Sequence, residues 1–327
     1  MKLLFIGDPH IKNDNHEEVT ILLNLLQKIC TDEKFDRIII GGDLMHYHER
    51  IFTQALNKTL DFVTTLSMYA PVDITVGNHD MINNQQFLTS NHWLNVFKNY
   101  PNVNVIDKPI VRISEDGSGS FAACPYVYPG RFHEALDTID WKDCQVIFAH
   151  QEMKGCRMGS IVSTEGDEWL PEYPLLISGH IHDRQEIGKN IYYPGAPLQH
   201  GFGDTNTRVV CVVELIDKNI SKRDIPLDVP KKTMIKTSVS DLSDKIKQIA
   251  LNSSLKLKLT ATSEEFKLFK QTSEYKNCIE KGVKIQLVQL EQKKVNQKTG
   301  SFRSILSELI LLKGDSLLKK IYGEIIK

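Results

Sequence analysis

Short apolar runs rich in β-branched residues alternate with longer stretches of helical period over the first 215 residues, an alternation that predicts a layered α/β domain. The strands predicted are Lys2 to Ile6, Arg37 to Ile40, Val72 to Val76, Gln145 to Ala149, Leu175 to Ser178 and Val209 to Leu215. Between the first two, Val19, Leu22, Leu23, Leu26 and Ile29 recur at helical spacing and predict a helix over Glu17 to Ile29. Further helices are expected over Thr53 to Leu66 and Gln85 to Phe97.

The polar, proline-flanked stretch Asp217 to Lys232 breaks the alternation and reads as a domain boundary. It divides a first domain, residues 1 to 220, from a small α+β unit over 230 to 292 and a terminal helix pair over 300 to 327. In the small unit the pattern predicts strands near Met234 to Val239, Leu255 to Leu259 and Val283 to Leu290. Helices are expected over Leu242 to Leu251, with Asp241 as cap, and over Glu264 to Glu274. The polar run Glu291 to Gly300 reads as a tether to two short amphipathic helices, Phe302 to Leu312 and Ser316 to Ile326, joined by Lys313, Gly314 and Asp315. Their apolar stripe (Ile305, Leu309, Leu312, Leu317, Ile321 and Ile325 among others) needs a cover, either the chain's own domain or the helices of a partner.

With 41% apolar and 25% charged residues over 327 positions, the chain has the balance of a folded globular protein of two domains. The run Leu3 to Ile6 is too short for a signal-peptide core and no later run approaches a membrane span, so the protein is expected to stay in the cytoplasm, that of a bacterial cell if it is phage-encoded. Six scattered cysteines without a CxxC pair read as reduced thiols. Net charge is −1, but it is unevenly spread: residues 231 to 327 carry 20 Lys and Arg against 10 Asp and Glu, whereas the first 230 carry 20 against 31 and hold all 11 histidines. An acidic, histidine-rich part suits divalent cations. A Lys-rich part suits phosphate backbone or an acidic partner, or forms a solvated helix surface.

Five polar clusters fall where predicted strands end, the place where open α/β sheets bind ligands. They are Asp8 with His10, Gly41-Gly42-Asp43 with His46, Gly77-Asn78-His79-Asp80, His150, and Gly179-His180 with His182. Any one of these side chains alone is an ordinary surface or core residue; seven potential ligands at five strand ends form a set. Carboxylate, imidazole and amide donors suit Mn, Fe and Zn more than thiolate-preferring metals. Asp8 with His10 and His180 with His182 stand two apart, a spacing at which extended backbone projects both side chains the same way. Two cations gripped this way would activate water and neutralise a phosphate, with a histidine as proton donor. His16, His48, His92, His133 and His200 have no comparable partners and read as structural, His200 least securely because its turn closely follows the His180 and His182 pair.

The series DPH, GGDLMH, GNHD, FAHQ and SGHIH resembles the five signatures of the calcineurin-like metallophosphoesterase superfamily. His46 in GDLMH, the segment IYYPGAPLQHGFGD over Ile191 to Asp204, and the layout of small domain and helix pair are similar to the nuclease branch of Mre11, bacterial SbcD and phage counterparts. The resemblance implies a four-layer β-sandwich flanked by helices, with a small α+β capping domain and a C-terminal helix pair. It implies a first cation held by Asp8, His10, Asp43 and His182 and a second by Asp43, Asn78, His150 and His180, most often Mn²⁺, with Asp43 bridging. It further implies that His79 protonates the leaving 3′ oxygen, that Asp80 orients its imidazole, and that His46 assists near the phosphate. The implied activity is DNA exonuclease and endonuclease action in repair and recombination, with an SMC-like ATPase of the Rad50 and SbcC type as partner. A homodimer through Glu49 to Ser67 and Gln85 to Phe97 is also implied. The alternatives are a phosphoesterase of small phosphodiesters or phosphoproteins and a scaffold without turnover.

Overall fold

A computed structural model of the chain describes residues 1–217, 219–239, 241–242, 253–290 and 302–325. Two compact units divide it, the first holding Met1–Ile235 and the second Leu257–Lys327.

The first unit is built on two six-stranded sheets. In one, β1 (Lys2–Ile6), β2 (Arg37–Ile40), β3 (Val72–Thr75) and β4 (Val103–Ile106) run parallel. In the other, β5 (Ile110–Ile113) pairs antiparallel with β6 (Ser120–Cys124), which runs parallel to β7 (Val146–His150). The short strands β8 (Arg157–Met158) and β9 (Ile161–Val162) form a separate hairpin. The second sheet continues through β10 (Leu175–Gly179) and β12 (Ile191–Tyr193) and ends on β11 (Gln185–Ile187). The first sheet gains β13 (Val209–Ile216), antiparallel to β1, and β14 (Asn219–Pro226) at its edge. The resulting orders are β14-β13-β1-β2-β3-β4 and β11-β12-β10-β7-β6-β5.

The two-residue alternation of side chains assigns each strand's faces. From β1, Leu3 and Phe5 enter a core between the sheets with Ile39, Phe121, Phe148, Ile177, Tyr192 and Val213. Leu4 and Ile6 face the other way, onto α1 (His16–Asp32) and α2 (Thr53–Ser67), whose Val19, Leu22, Leu26, Phe62 and Leu66 complete a second core. On the far side, Ile147 and Ala149 of β7 pack with Phe132 and Leu136 of α3 (Phe132–Leu136) and with Trp141 and Trp169. Both faces of the central strands are buried, which is why they read as continuous apolar runs. The layers are helix, sheet, sheet and a helix-and-loop cover, the α/β architecture expected. All six cysteines are buried and unpaired. Among the described residues no helix is long and apolar enough to cross a membrane.

After β14 the chain forms a three-stranded sheet in the order β15 (Lys231–Ser238), β16 (Ser253–Ala261), β17 (Lys284–Gln289). Leu257, Leu259 and Ala261 of β16 are buried, as are Phe269 and Cys278 of α4 (Ser263–Phe269) and α5 (Ser273–Glu280). The chain ends in α6 (Phe302–Lys313) and α7 (Ser316–Ile325), where the hydroxyls of Ser307 and Tyr322 lie 2.7 Å apart.

Two helix expectations fail, each for a local reason. Gln85 to Phe97 is not a helix: only a short 3-10 segment, Trp93–Asn99, forms. The side chains of Asn83, Thr89 and Asn95 bond to nearby backbone and offer it an alternative to the helix. Asp217 to Lys232, read as the boundary stretch, is mostly β14, an edge strand exposed along much of its length and so without an apolar alternation to betray it. Glu264 to Glu274 is not one helix. Thr262 and Thr272 each start their own, Thr262 through a reciprocal capping box with Glu265. The repeated Thr-Ser-Glu at 262 and 272 was the signal to read. The predicted helix Leu242 to Leu251 beyond its first residue, and the tether at 291–300, lie outside the described residues.

Phe148 stacks on Phe5 at 5.5 Å and meets Phe121 edge-on at 5.4 Å in the core between the sheets. Phe148→Ala is expected to cost about 3–5 kcal/mol. A urea titration should show a lower midpoint at unchanged slope; an unaltered midpoint would contradict this packing.

Candidate metal centre

Four of the five polar clusters meet where β1, β2, β7 and β10 end, two strands from each sheet, and the fifth follows β3. Strand ends alone do not aim the side chains. His10 (φ 44°), Asp43 (φ 50°) and His180 (φ 78°) all occupy the left-handed region that L residues rarely adopt, so the chain turns sharply just past β1, β2 and β10. The two-apart pairs therefore converge through turns and not, as their spacing suggested, through shared projection from extended backbone. His10 N donates to Asp43 O (3.0 Å) and His180 N to Asp8 Oδ2 (2.7 Å), which ties the turns to one another.

The geometry centres on Asp43. Its Oδ2 lies 3.4 Å from Nε2 of His10 and 3.4 Å from Nε2 of His150. On one side, His10 Nε2 is 3.1 Å from His182 Nε2, which in turn stands 3.9 Å from Asp8 Oδ2. On the other, Asn78 Oδ1 lies 3.0 Å from His150 Nε2 and 2.9 Å from His180 Nδ1. One carboxylate oxygen thus stands between two clusters of ring nitrogens and side-chain oxygens. All seven predicted ligands are brought together.

Their charge states follow from burial. His10, His180 and His182 are held below the ordinary imidazole range, chiefly by burial, His180 down to about 3. Neutral rings are the form that coordinates cations. Burial, reinforced by the charge of Asp43, pushes Asp8 up to about 7 and Asp80 to about 8. Burial also opposes charge on His150, but Asp43 and Asp8 outweigh it and raise that ring to about 9. Asp43 is held below the carboxylate range: burial works against its charge, and His150 beside it prevails. Asp8, Asp43 and Asp80 are each 1% exposed, and Asp8 Oδ1 has no hydrogen-bond partner. A pocket of buried carboxylates with an orphaned oxygen and neutral imidazoles fits divalent cations.

Two residues differ from expectation. Asp80 does not touch the His79 ring: its Oδ2 accepts from the amides of Asp43 (2.8 Å) and Gly77 (2.9 Å), and its Oδ1 from the Trp93 indole (3.1 Å). Asp80 fixes the loop that carries Asp43. The His79 ring is oriented instead by the carbonyl of His46, which accepts from Nδ1 at 2.6 Å, leaving Nε2 4.0 Å from Asp43 Oδ2. His46 Nδ1 is 3.3 Å from His10 Nδ1, and its ring lies parallel to that of His79 at 5.5 Å.

Of the five histidines read as structural, two line the site. His200 packs edge-on against His10 (4.5 Å) and His182 (4.7 Å) and bonds to Asp8 O through Nε2 (3.1 Å). His48 stacks on His79 at 4.4 Å. The signal for His48 was proximity in sequence, two residues after His46, whereas β11 and β12 separate His200 from His182 along the chain. His92 is structural, its Nε2 3.2 Å from Asp107, as is His133, stacked on Trp169. Nothing in the sequence pattern marks Arg208. Buried and far from the motifs in sequence, it donates to the carbonyls of His182 (2.8 Å) and Ala196 (3.1 Å) and so holds the last ligand loop.

The sequence pattern of the calcineurin-like phosphoesterase family matches residues 1–184. The chain is 42% identical over 279 residues to the protein named "Putative phosphoesterase 244L" of Invertebrate iridescent virus 6, spanning 83% of this chain and 97% of that one. It is 36% identical over 333 residues to "Putative phosphoesterase 078R" of Invertebrate iridescent virus 3, spanning 98% and 95%. Among solved structures it is similar to an archaeal phosphodiesterase at 14% identity and a TM-score of 0.36, over 69% of this chain and 100% of that one.

Gly77 tests the packing around Asp43. Its φ of −90° suits any residue, but a Cβ there would lie 2.2 Å from Asp43 Oδ1 and 2.5 Å from Asp43 N. Gly77→Ala is therefore expected to displace the carboxylate, lowering phosphoesterase kcat/KM at least about 100-fold, since a displacement on the order of 1 Å costs that much. Calorimetric titration should show weakened cation binding alongside it. Full activity in this variant would remove Asp43 from the centre of the site.

Proposed function

The chain belongs to the calcineurin-like phosphoesterase family, and from that premise we propose that it is a Mn-dependent DNA exonuclease and endonuclease. The observation that carries this reading is the placement of His46 beside His79 at the edge of the Asp43 site, since His46 is one of the residues on which the likeness to the Mre11 and SbcD branch rests. The Lys excess beyond residue 230 supports it, since a polyanion needs a sequence-independent electrostatic grip.

In this proposal Asp8, His10, Asp43 and His182 hold one cation and Asp43, Asn78, His150 and His180 the other. When bound, the cation pair supplies Lewis acidity, activating water and neutralising charge on the phosphate. The protein's own groups do the rest. His79, its Nδ1–H fixed on the His46 carbonyl, delivers a proton from Nε2 to the leaving 3′ oxygen. His46 assists beside the phosphate, and Asp80 keeps the Asp43 and Gly77 amides in place. The choice of manganese rests on the resemblance to the Mre11 and SbcD branch; oxygen and nitrogen donors without thiolate suit Mn, Fe and Zn alike.

We also propose that an SMC-like ATPase of the Rad50 and SbcC type docks on α6 and α7. No residue of α7 is buried, and Leu309, Leu312, Leu317 and Ile325 are 56%, 82%, 66% and 74% exposed. Such a stripe supports helix-in-groove binding. A homodimer through α2 completes the proposed assembly.

Linear duplex DNA with Mn²⁺ should be degraded, and chelation should abolish the degradation. His79→Ala is expected to lower kcat by about 10² to 10⁴ while binding cations and DNA as before. A marked preference for small phosphodiesters over DNA ends would defeat the nuclease assignment. For the Lys-rich part, DNA affinity should fall steeply as salt rises from about 50 to 200 mM; a flat response would remove that part from the grip.

A further inference from the structure

Beside the proposed proton donor, a chain of rings runs outward to the surface. His79 stacks against His48 at 4.4 Å and against His46 at 5.5 Å, their planes within 18° and 17° of parallel. His46 meets Tyr47 edge-on at 5.1 Å, and Tyr47 meets Phe52 at 4.9 Å. The two outer rings are 39% and 38% exposed, and Ile51 between them in sequence is 48% exposed. Large apolar side chains left open in one short segment lack a purpose in the chain's own packing. The segment joins β2, which delivers Asp43, to α2, so its position is set by the same strand end that sets the site.

We propose that Tyr47 and Phe52 form a platform on which an unpaired nucleobase stacks when its backbone phosphate lies at His79. The inference rests on the nuclease reading above and deepens it: the substrate at the moment of cleavage is single-stranded at this point. Two ring-to-ring steps separate Tyr47 from His79, so a base on Tyr47 belongs to a nucleotide adjoining the reacting phosphate. Every base offers a flat face, which gives affinity without sequence preference. Arg50, exposed in the same segment, suits a neighbouring phosphate. An apolar protein face would instead leave Arg50 and the imidazoles unmatched.

The test uses the full chain with Mn²⁺ and a single-stranded oligonucleotide, compared with versions made abasic on either side of the scissile phosphate. Tyr47→Ala and Phe52→Ala are expected to raise KM for the intact strand about tenfold, with kcat changing less. One abasic substitution should raise KM for the unmodified protein by a similar factor, yet leave KM of the alanine variants within about twofold. Tyr47→Phe and Phe52→Tyr, which keep the rings, should behave as the unmodified protein does. Unchanged KM on both abasic strands overturns the platform without reference to any variant. So does an abasic penalty that is equal in the alanine variants and the unmodified protein. Alanine variants that dissociate a dimer while keeping the abasic penalty would make the patch a contact between copies. An unmodified protein that cuts small phosphodiesters and no oligonucleotide overturns the nuclease reading and the platform with it; one that cuts oligonucleotides but ignores the missing base overturns the platform alone.

Discussion

The Asp43 carboxylate sits where the ends of two sheets meet, in a space with no water-accessible escape for its charge. Burying one carboxylate is costly; Asp8 and Asp80 bury two more beside it. Among the neighbouring side chains only His150 is raised toward a positive charge. Without cations protonation relieves the three acids, since burial pushes Asp8 up to about 7 and Asp80 to about 8. Divalent cations would take the place of those protons, and the surrounding neutral imidazoles are in the form that coordinates them.

Keeping that carboxylate in place governs the backbone around it. His10, Asp43 and His180 adopt left-handed conformations that cost free energy at non-glycine residues, and a web of amide donors repays it. Asp80 is central to this web, accepting from two amides and an indole, while Arg208 ties down the carbonyls that follow His182. Gly42 and Gly179 leave no room for a Cβ: one at Gly42 would press on His150 Nδ1 at 2.5 Å, and one at Gly179 on Asp8 Oδ1 at 2.4 Å. The rigidity needed for a bimetallic site is thus built from strained turns locked by hydrogen bonds, with the two sheets as anchors.

What could be read in the chain follows from how local each signal is. The buried strands announce themselves because both faces are apolar, and the seven donors because they cluster immediately after those strands. Edge strand β14 could not be found this way, since its exposed residues give no alternation. The absent helix at Gln85 to Phe97 shows helical spacing overruled by Asn and Thr side chains bonding to local backbone. Asp80 was placed at the site but given the wrong partner, because adjacency to His79 in sequence says nothing about which group its carboxylate faces. Arg208 and His200 act across the fold, on the carbonyls of His182 and Asp8, and contacts of that separation leave no trace in spacing.

The charge division along the chain now acquires a physical sense. The first 230 residues carry an excess of 11 acidic groups, a field that repels any phosphate approaching Asp43. Two divalent cations, held there as proposed, would reverse that field locally, within about a Debye length of 8 to 10 Å. Beyond that distance a long polyanion still meets acidic surface, whereas a small phosphoester does not extend so far. An excess of ten basic groups follows residue 230, and in the proposed nuclease they would offset that longer-range repulsion. In the proposed nuclease the acidic stretch would hold the cations and the basic stretch the polyanion, a division that a uniformly mixed sequence could not make.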